Sequence, residues 1–122
     1  LKIGNSMQDL NASKIVPYTL VNTFIAVEGG IDALVAFQLA EMKDMGAEAA
    51  ACGWLGNEVY RSGDGTSLIV VTRVESVEAR EKWAETQRSR RHVQELMPLV
   101  KDITSVPVTF LAAHGDSPHV ET

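Results

Sequence analysis

Apolar and polar residues follow the periods of strands and helices through the middle of the chain. The segment from Val16 to Val27 is rich in β-branched and aromatic residues and ends before Gly29-Gly30, which predicts a first strand. From residue 31 to about residue 50, apolar residues recur at steps of three and four, which predicts a helix. Gln38 is the polar interruption of that apolar stripe.

A hairpin is predicted next. Two runs of strand-forming residues, at about 54–61 and 67–75, flank Ser62-Gly63-Asp64-Gly65. Glycines supply the positive φ values that tight hairpins need, so the two runs should pair with each other.

A second helix and a fourth strand complete the pattern. Ser76 can cap a helix that runs through Trp83 to about Leu99, where Pro98 is compatible only with the end of the helix. The segment from Ile103 to Ala113 predicts the fourth strand. Pro107 inside it indicates an edge or bulged position, because proline cannot donate to the ladder.

The predicted order βαββαβ is that of an α+β, ferredoxin-like domain, a four-stranded antiparallel sheet with both helices on one face. Strand one is apolar on both faces, with Leu20 and Phe24 on one side and Val21 and Ile25 on the other. A sheet whose second face meets water should be polar there. We therefore expect a homodimer that packs sheet against sheet.

Composition narrows the class of protein. The 122 residues, 45% of them apolar, suit one domain, which we place at residues 16–113 between polar tails at 1–15 and 114–122. A net charge of −5 argues against nucleic acid as a partner. Cys52 is the sole cysteine, so an internal disulfide and a thiolate metal cluster are excluded. No apolar run is long enough for a membrane span, so we expect a cytoplasmic protein with no membrane partner. We also expect no metal site.

The second predicted helix contains a polar stretch. Between Ala84 and Val93 it has no apolar residue. A core-packed helix cannot present such a stretch to the core, so either the helix breaks and turns outward or its inner face lines a polar cavity. The stretch holds a basic cluster, Arg88, Arg90, Arg91 and His92. These residues could grip an anionic group of a ligand or pair with Glu85 or Glu95 within the chain.

Asn22 is the polar exception on the strand face that carries Leu20, Phe24 and Ala26. A buried amide needs hydrogen-bond partners, so Asn22 is either satisfied structurally or held for a ligand.

Four local motifs resemble those of the antibiotic biosynthesis monooxygenase (ABM) family, and most of all its haem-degrading branch. Asn22 stands seven residues before Gly29, and Trp83 stands nine residues before His92. The remaining two motifs are a hairpin entry and a strand end, read here as Gly53-Trp54-Leu55-Gly56 and Val70-Val71-Thr72-Arg73-Val74-Glu75-Ser76. The resemblance covers roughly residues 16 to 113 and implies a ferredoxin-like domain that dimerises into an α/β barrel.

The resemblance also implies a function. Such enzymes oxidise a small, flat, hydrophobic or aromatic molecule with dioxygen and require no flavin or metal cofactor. Asn22 and His92 would be the catalytic residues. The substrate would contact Phe24, Val74, Trp83, Arg90 and Arg91.

Two alternatives remain open. In the first, haem is the substrate and His92 its iron ligand. In the second, the domain is a noncatalytic, dimeric binding or regulatory module. Val74 stands where the family has a tryptophan that presses on the substrate, a departure that bears on both oxygenase interpretations.

Overall fold

A computed structural model describes residues 16–115. The strands are β1 (Tyr18–Ala26), β2 (Trp54–Arg61), β3 (Ser67–Val74) and β4 (Val100–Val108), and the helices are α1 (Ile31–Ala51), α2 (Val77–Ala84) and α3 (Gln87–Leu96). A 3-10 turn, Met97–Leu99, joins α3 to β4. The α+β, ferredoxin-like prediction is confirmed, with a helix pair where one helix was expected. The predicted tail at 1–15 and most of the one at 114–122 lie outside the described residues.

The four strands form one antiparallel sheet in the order β2-β3-β1-β4. In β3 every second residue is buried, and these residues are Leu68, Val70, Thr72 and Val74. This alternation is the period of a strand with one face under helices. Phe24 of β1 and Leu34 of α1 join that face in the hydrophobic core.

The turn between β2 and β3 owes its geometry to Asp64. Its carboxylate accepts hydrogen bonds from the hydroxyl of Ser62 at 2.6 Å and from the backbone N–H of Thr66 at 3.0 Å. These bonds lower the pKa of Asp64, the contact with Ser62 contributing most. Gly65 has a φ of +76°, a backbone conformation that residues other than glycine rarely adopt.

The segment predicted as the second helix forms two helices, so the prediction of a single helix from Ser76 to Leu99 was wrong. Ser76 caps α2 as expected, because its hydroxyl accepts from the N–H of Ala79 at 3.0 Å. Thr86 then ends the first helix and begins the second: its hydroxyl donates to the carbonyl of Trp83 and accepts from the N–H of Ser89. A residue that can cap a helix in the middle of the segment lets the chain change direction at little cost in free energy.

The fourth strand is earlier in the chain than Ile103 to Ala113. It pairs with β1 from Ala26 opposite Val100 to Thr19 opposite Val108. Because β1 begins at Tyr18, the residues after Val108 find no strand to pair with. Pro107 lies in an edge strand, as its missing N–H indicated.

The other face of the sheet is covered by nothing in residues 16–115. Val21 lies at its centre, with Val71 and Val106 as its neighbours on the two adjoining strands. Val106 and Val108 are among the exposed large apolar residues. Separately, none of the helices in the described part of the chain has the length and apolar character that crossing a membrane requires.

Candidate functional site

A cavity of about 400 Å³ lies between the helices and the covered face of the sheet. Its apolar wall includes Phe24, Met42, Met45, Trp54, Val70 and Trp83. Its polar groups include Asn22, Gln38, Thr72, Ser89 and His92. Mostly apolar walls with a few placed polar groups are typical of a site for a small organic molecule.

Two tryptophans form one wall. The rings of Trp54 and Trp83 meet edge to face, with centroids 6.0 Å apart and planes at 62°. The close approach of α2 to the start of β2 depends on Gly53, where an added Cβ would lie 2.8 Å from the Cβ of Ala79. Trp54 also donates from Nε1 to Asn57 Oδ1 at 3.3 Å, so its indole is oriented from both sides.

His92 is held by a carboxylate from the opposite helix. Its Nδ1 lies 2.8 Å from Glu41 Oε1. An ionised carboxylate only accepts hydrogen bonds, so Nδ1 carries the proton and donates. The ring of Phe37 stacks on His92 with centroids 5.4 Å apart and planes at 14°, which fixes the plane of the imidazole.

Glu41 is in turn held by Arg88. The Nη2 atom of Arg88 lies 2.7 Å from Glu41 Oε2, and both side chains are about nine-tenths buried, with exposures of 8% and 10%. Arg88 also contacts Asp44 Oδ2 through Nη2 at 2.9 Å and Nε at 3.2 Å. The hydrogen bond from Arg88 is the main reason that the pKa of Glu41 lies below its ordinary value of 4.5. Glu41 is therefore ionised at neutral pH beside His92.

The arrangement Arg88–Glu41–His92 leaves Nε2 of His92 without a protein partner among residues 16–115. His92 lines the cavity with 15% of its side chain exposed. In the tautomer that Glu41 selects, Nε2 is the nitrogen with the lone pair. The imidazole can accept a proton there from a molecule in the cavity.

Asn22 enters the cavity from β1. Its Oδ1 accepts a hydrogen bond from the hydroxyl of Ser105 on β4, the residue opposite it in the sheet. The Nδ2 group has no partner in the described part of the chain. A second pair lies on the far strands, where Asn57 Nδ2 donates to Thr72 Oγ1 at 3.1 Å. Asn22 is thus half satisfied structurally and keeps two N–H donors for a ligand.

The cavity brings together four of the residues predicted from the sequence, which are Asn22, Phe24, Trp83 and His92. Val74 lies on the same sheet face, 1% exposed, but is not part of the cavity wall. It pairs with Tyr18, four residues along β1 from Asn22.

Arg90 and Arg91 also lie outside the cavity wall, and both are exposed. Arg91 pairs with Asp44 at 3.4 Å and reaches Glu95 at 4.0 Å, so pairing within the chain accounts for it. Arg88 pairs with Glu41 and Asp44 rather than with Glu85 or Glu95. The arginine that does line the cavity is Arg80 on α2.

Gln38 and Glu41 belong to the site although neither was predicted as a site residue. Both are buried on α1, three residues apart, and so lie on one face of the helix. A signal existed for Gln38, which interrupts an apolar stripe. For Glu41 the nearest signal was its spacing of three from Gln38.

Comparison with known proteins shows the fold. No family model matches the chain, and no curated protein matches it. Solved structures do: Rv0793 of Mycobacterium tuberculosis (19% identity, TM-score 0.66) aligns over 81% of this chain and 99% of its own. A Chloroflexus aurantiacus protein provisionally named antibiotic biosynthesis monooxygenase aligns over 81% and 97% (18% identity, TM-score 0.64).

A Bacteroides thetaiotaomicron protein with the same provisional name aligns over 84% of this chain and 96% of its own, at 10% identity and a TM-score of 0.69. The resemblance inferred from the motifs is confirmed as a shared fold with proteins of the ABM name.

Proposed function

We propose that the chain is an ABM-type monooxygenase that oxidises a small, flat aromatic molecule with dioxygen and without a flavin or metal cofactor. The observation that carries the proposal is the cavity with tryptophan and phenylalanine walls into which Glu41 directs the free Nε2 of His92. The fold shared with proteins of the ABM name supports the same reaction class.

The chemistry assigned to the chain is modest. A polycyclic phenol enters the cavity, and Nε2 of His92 accepts its hydroxyl proton, which makes the ring electron-rich enough to reduce dioxygen. One oxygen atom joins a ring carbon, two hydrogens leave, and the second oxygen becomes water, so the substrate supplies all the electrons. For 1-naphthol the product is 1,4-naphthoquinone. The Nδ2 donors of Asn22 stabilise negative charge on oxygen as it develops.

The test is an anaerobic titration of the protein with 1-naphthol and related quinols, followed by admission of air. We expect oxygen uptake matched by quinone, and a rate about 10²-fold lower in His92→Ala, within the usual range for loss of an acid or base. Ligand binding without oxygen uptake would favour a noncatalytic binding or regulatory module.

Haem as the substrate is a second candidate, because a histidine that ligates a metal usually donates its other ring nitrogen to a carboxylate. The bond from His92 Nδ1 to Glu41 has that form. Under this proposal haem should bind with a Soret shift that His92→Ala abolishes. Equal, weak binding by the two proteins would exclude haem and leave the phenol proposal intact.

The uncovered face of the sheet we assign to a second copy of the chain. Val21 faces that side, between Val71 and Val106, whereas Phe24 points into the core. Light scattering should therefore give twice the chain mass for the wild type. Val21→Asp should give a monomer, because a buried unpaired charge costs about 3 kcal/mol or more. Val77→Asp, at the exposed start of α2 on the helix side of the sheet, is the matched control and should remain a dimer. A wild-type monomer at micromolar concentration would contradict the assignment.

A further inference from the structure

Gln38 brings a buried side-chain amide to the cavity wall. The residue is 4% exposed, its amide has no hydrogen-bond partner among residues 16–115, and neither amide atom is sealed off from the cavity. A buried amide needs hydrogen-bond partners, which at this position must come from the cavity. Gln38 lines the cavity, so its amide is the group that a bound molecule can satisfy.

The position of Gln38 places it at the His92 end of the cavity. It lies beside Phe37, which stacks on His92, and one helical turn before Glu41, which accepts from His92. On the opposite helix Ser89 precedes His92 by three residues, is buried and also lines the cavity. The Ser89 hydroxyl has no side-chain hydrogen-bond partner in the described part of the chain, so it too is available to a ligand.

We infer that Gln38 and Ser89 form a subsite for a neutral oxygen substituent, the phenolic hydroxyl of the aromatic ligand. The Gln38 amide donates an N–H to that oxygen, and His92 Nε2 accepts the hydroxyl proton. Once the proton has moved, the same N–H stabilises the phenolate. The inference rests on the proposed function for its choice of ligand, whereas its test measures binding and requires no turnover.

At the His92 end of the cavity the neighbouring groups favour a hydroxyl over a carboxylate, whereas the charged residues of the wall itself, Arg80 and Glu81, lie on α2. Gln38 and Ser89 are both neutral, and Glu41, one turn from Gln38, is an ionised carboxylate next to the same end of the cavity. A carboxylate ligand there would face Glu41, whose charge is already shared by Arg88 and His92. A hydroxyl can accept from Gln38 and donate to His92 without adding charge.

The experiment compares two isosteric probes, 1-naphthol and 1-methylnaphthalene, by calorimetry under argon. The variant is Gln38→Met, which keeps the unbranched shape and the helix propensity and removes the amide. We expect 1-naphthol to bind about tenfold more weakly to the variant, as loss of one hydrogen bond predicts, and 1-methylnaphthalene to bind as before.

A measurement on the wild type keeps the inference falsifiable even if the variant does not fold. The side-chain amide signals of Gln38 in a ¹⁵N–¹H spectrum should move on addition of 1-naphthol and much less on addition of 1-methylnaphthalene. Equal shifts with the two probes, or equal loss of affinity for both, would each overturn the subsite. Failure of oxygen uptake, with these binding results intact, would count against the proposed reaction alone.

Discussion

Replacing Glu41 by glutamine should invert the tautomer of His92. The carboxylate accepts from Arg88 with one oxygen and from His92 with the other. An amide has a single oxygen, and an amide nitrogen facing the Arg88 guanidinium would place two donors together. The oxygen therefore turns to Arg88 and the NH₂ group to His92, whose Nδ1 must then accept. The proton moves to Nε2, and the nitrogen that faces the cavity is no longer a base.

The cost to stability can be bounded from the contacts. Removing one partner of a buried ion pair costs about 3–5 kcal/mol when nothing replaces it. Here the amide oxygen keeps one bond to Arg88, and Asp44 keeps its contacts at 2.9 and 3.2 Å. We therefore expect a loss of about 2 kcal/mol, or roughly 10 °C in Tm for a domain of this size.

The loss should also depend on pH. The pKa of Glu41 is lowered in the folded protein, chiefly by the bond from Arg88, so its contribution is complete above its ordinary value of 4.5 and is lost as pH falls through the lowered value. Glutamine does not titrate. The stability gap between wild type and Glu41→Gln should be constant at neutral pH and narrow in acid.

The assays are chemical denaturation across pH and ¹⁵N NMR of the His92 ring. Asp44→Asn is the matched control, because it also removes a carboxylate from Arg88 but is 62% exposed and has no bond to His92. It should cost under about 1 kcal/mol, as exposed pairs do, and leave the tautomer unchanged. Glu41→Gln with the stability of the control, or with Nε2 of His92 still unprotonated, would refute the reasoning.

Further substitutions test the surroundings of the cavity. Val74→Trp should overpack a fully buried position and lower stability by about 1–3 kcal/mol without narrowing ligand choice, measured by denaturation and by 1-naphthol affinity. Thr86→Ala should cost about 1 kcal/mol through loss of the α3 cap and weaken 1-naphthol binding, while Ser62→Ala, in the distant hairpin turn, should leave binding unchanged. Gly53→Ala should cost about 1–3 kcal/mol, because φ there is +106° and the new Cβ meets Ala79. Wild-type stability in any of these variants would contradict the contact invoked.

Local chemistry accounts for what the sequence could predict of the fold. The bounds of β2 were correct at 54–61, because the Asp64 turn and the flanking β-formers act over a few residues. Helix α1 was correct to within one residue, since its apolar stripe is long. The end of β4 was missed because it depends on where β1 begins, a contact between distant parts of the chain.

The site was predictable where it follows a strand face or a motif and not where it depends on packing between helices. Asn22 and His92 stood out as polar residues in apolar or unusual surroundings, and both line the cavity. The bond between Arg88 and Glu41 joins residues 47 apart, and no local pattern indicates it. Arg90 and Arg91 were predicted to contact the substrate because of their charge. Charge alone does not indicate on which side of α3 a residue lies.

We propose that His92, oriented by Glu41, makes this cavity an oxygenase site. The most direct test is a single-turnover reaction of the anaerobic complex with 1-naphthol and ¹⁸O₂, analysed by mass spectrometry. We expect a quinone that carries one ¹⁸O atom, with the second in water, and loss of the reaction in His92→Ala although 1-naphthol still binds. A quinone without ¹⁸O, or the same yield from His92→Ala, would contradict it.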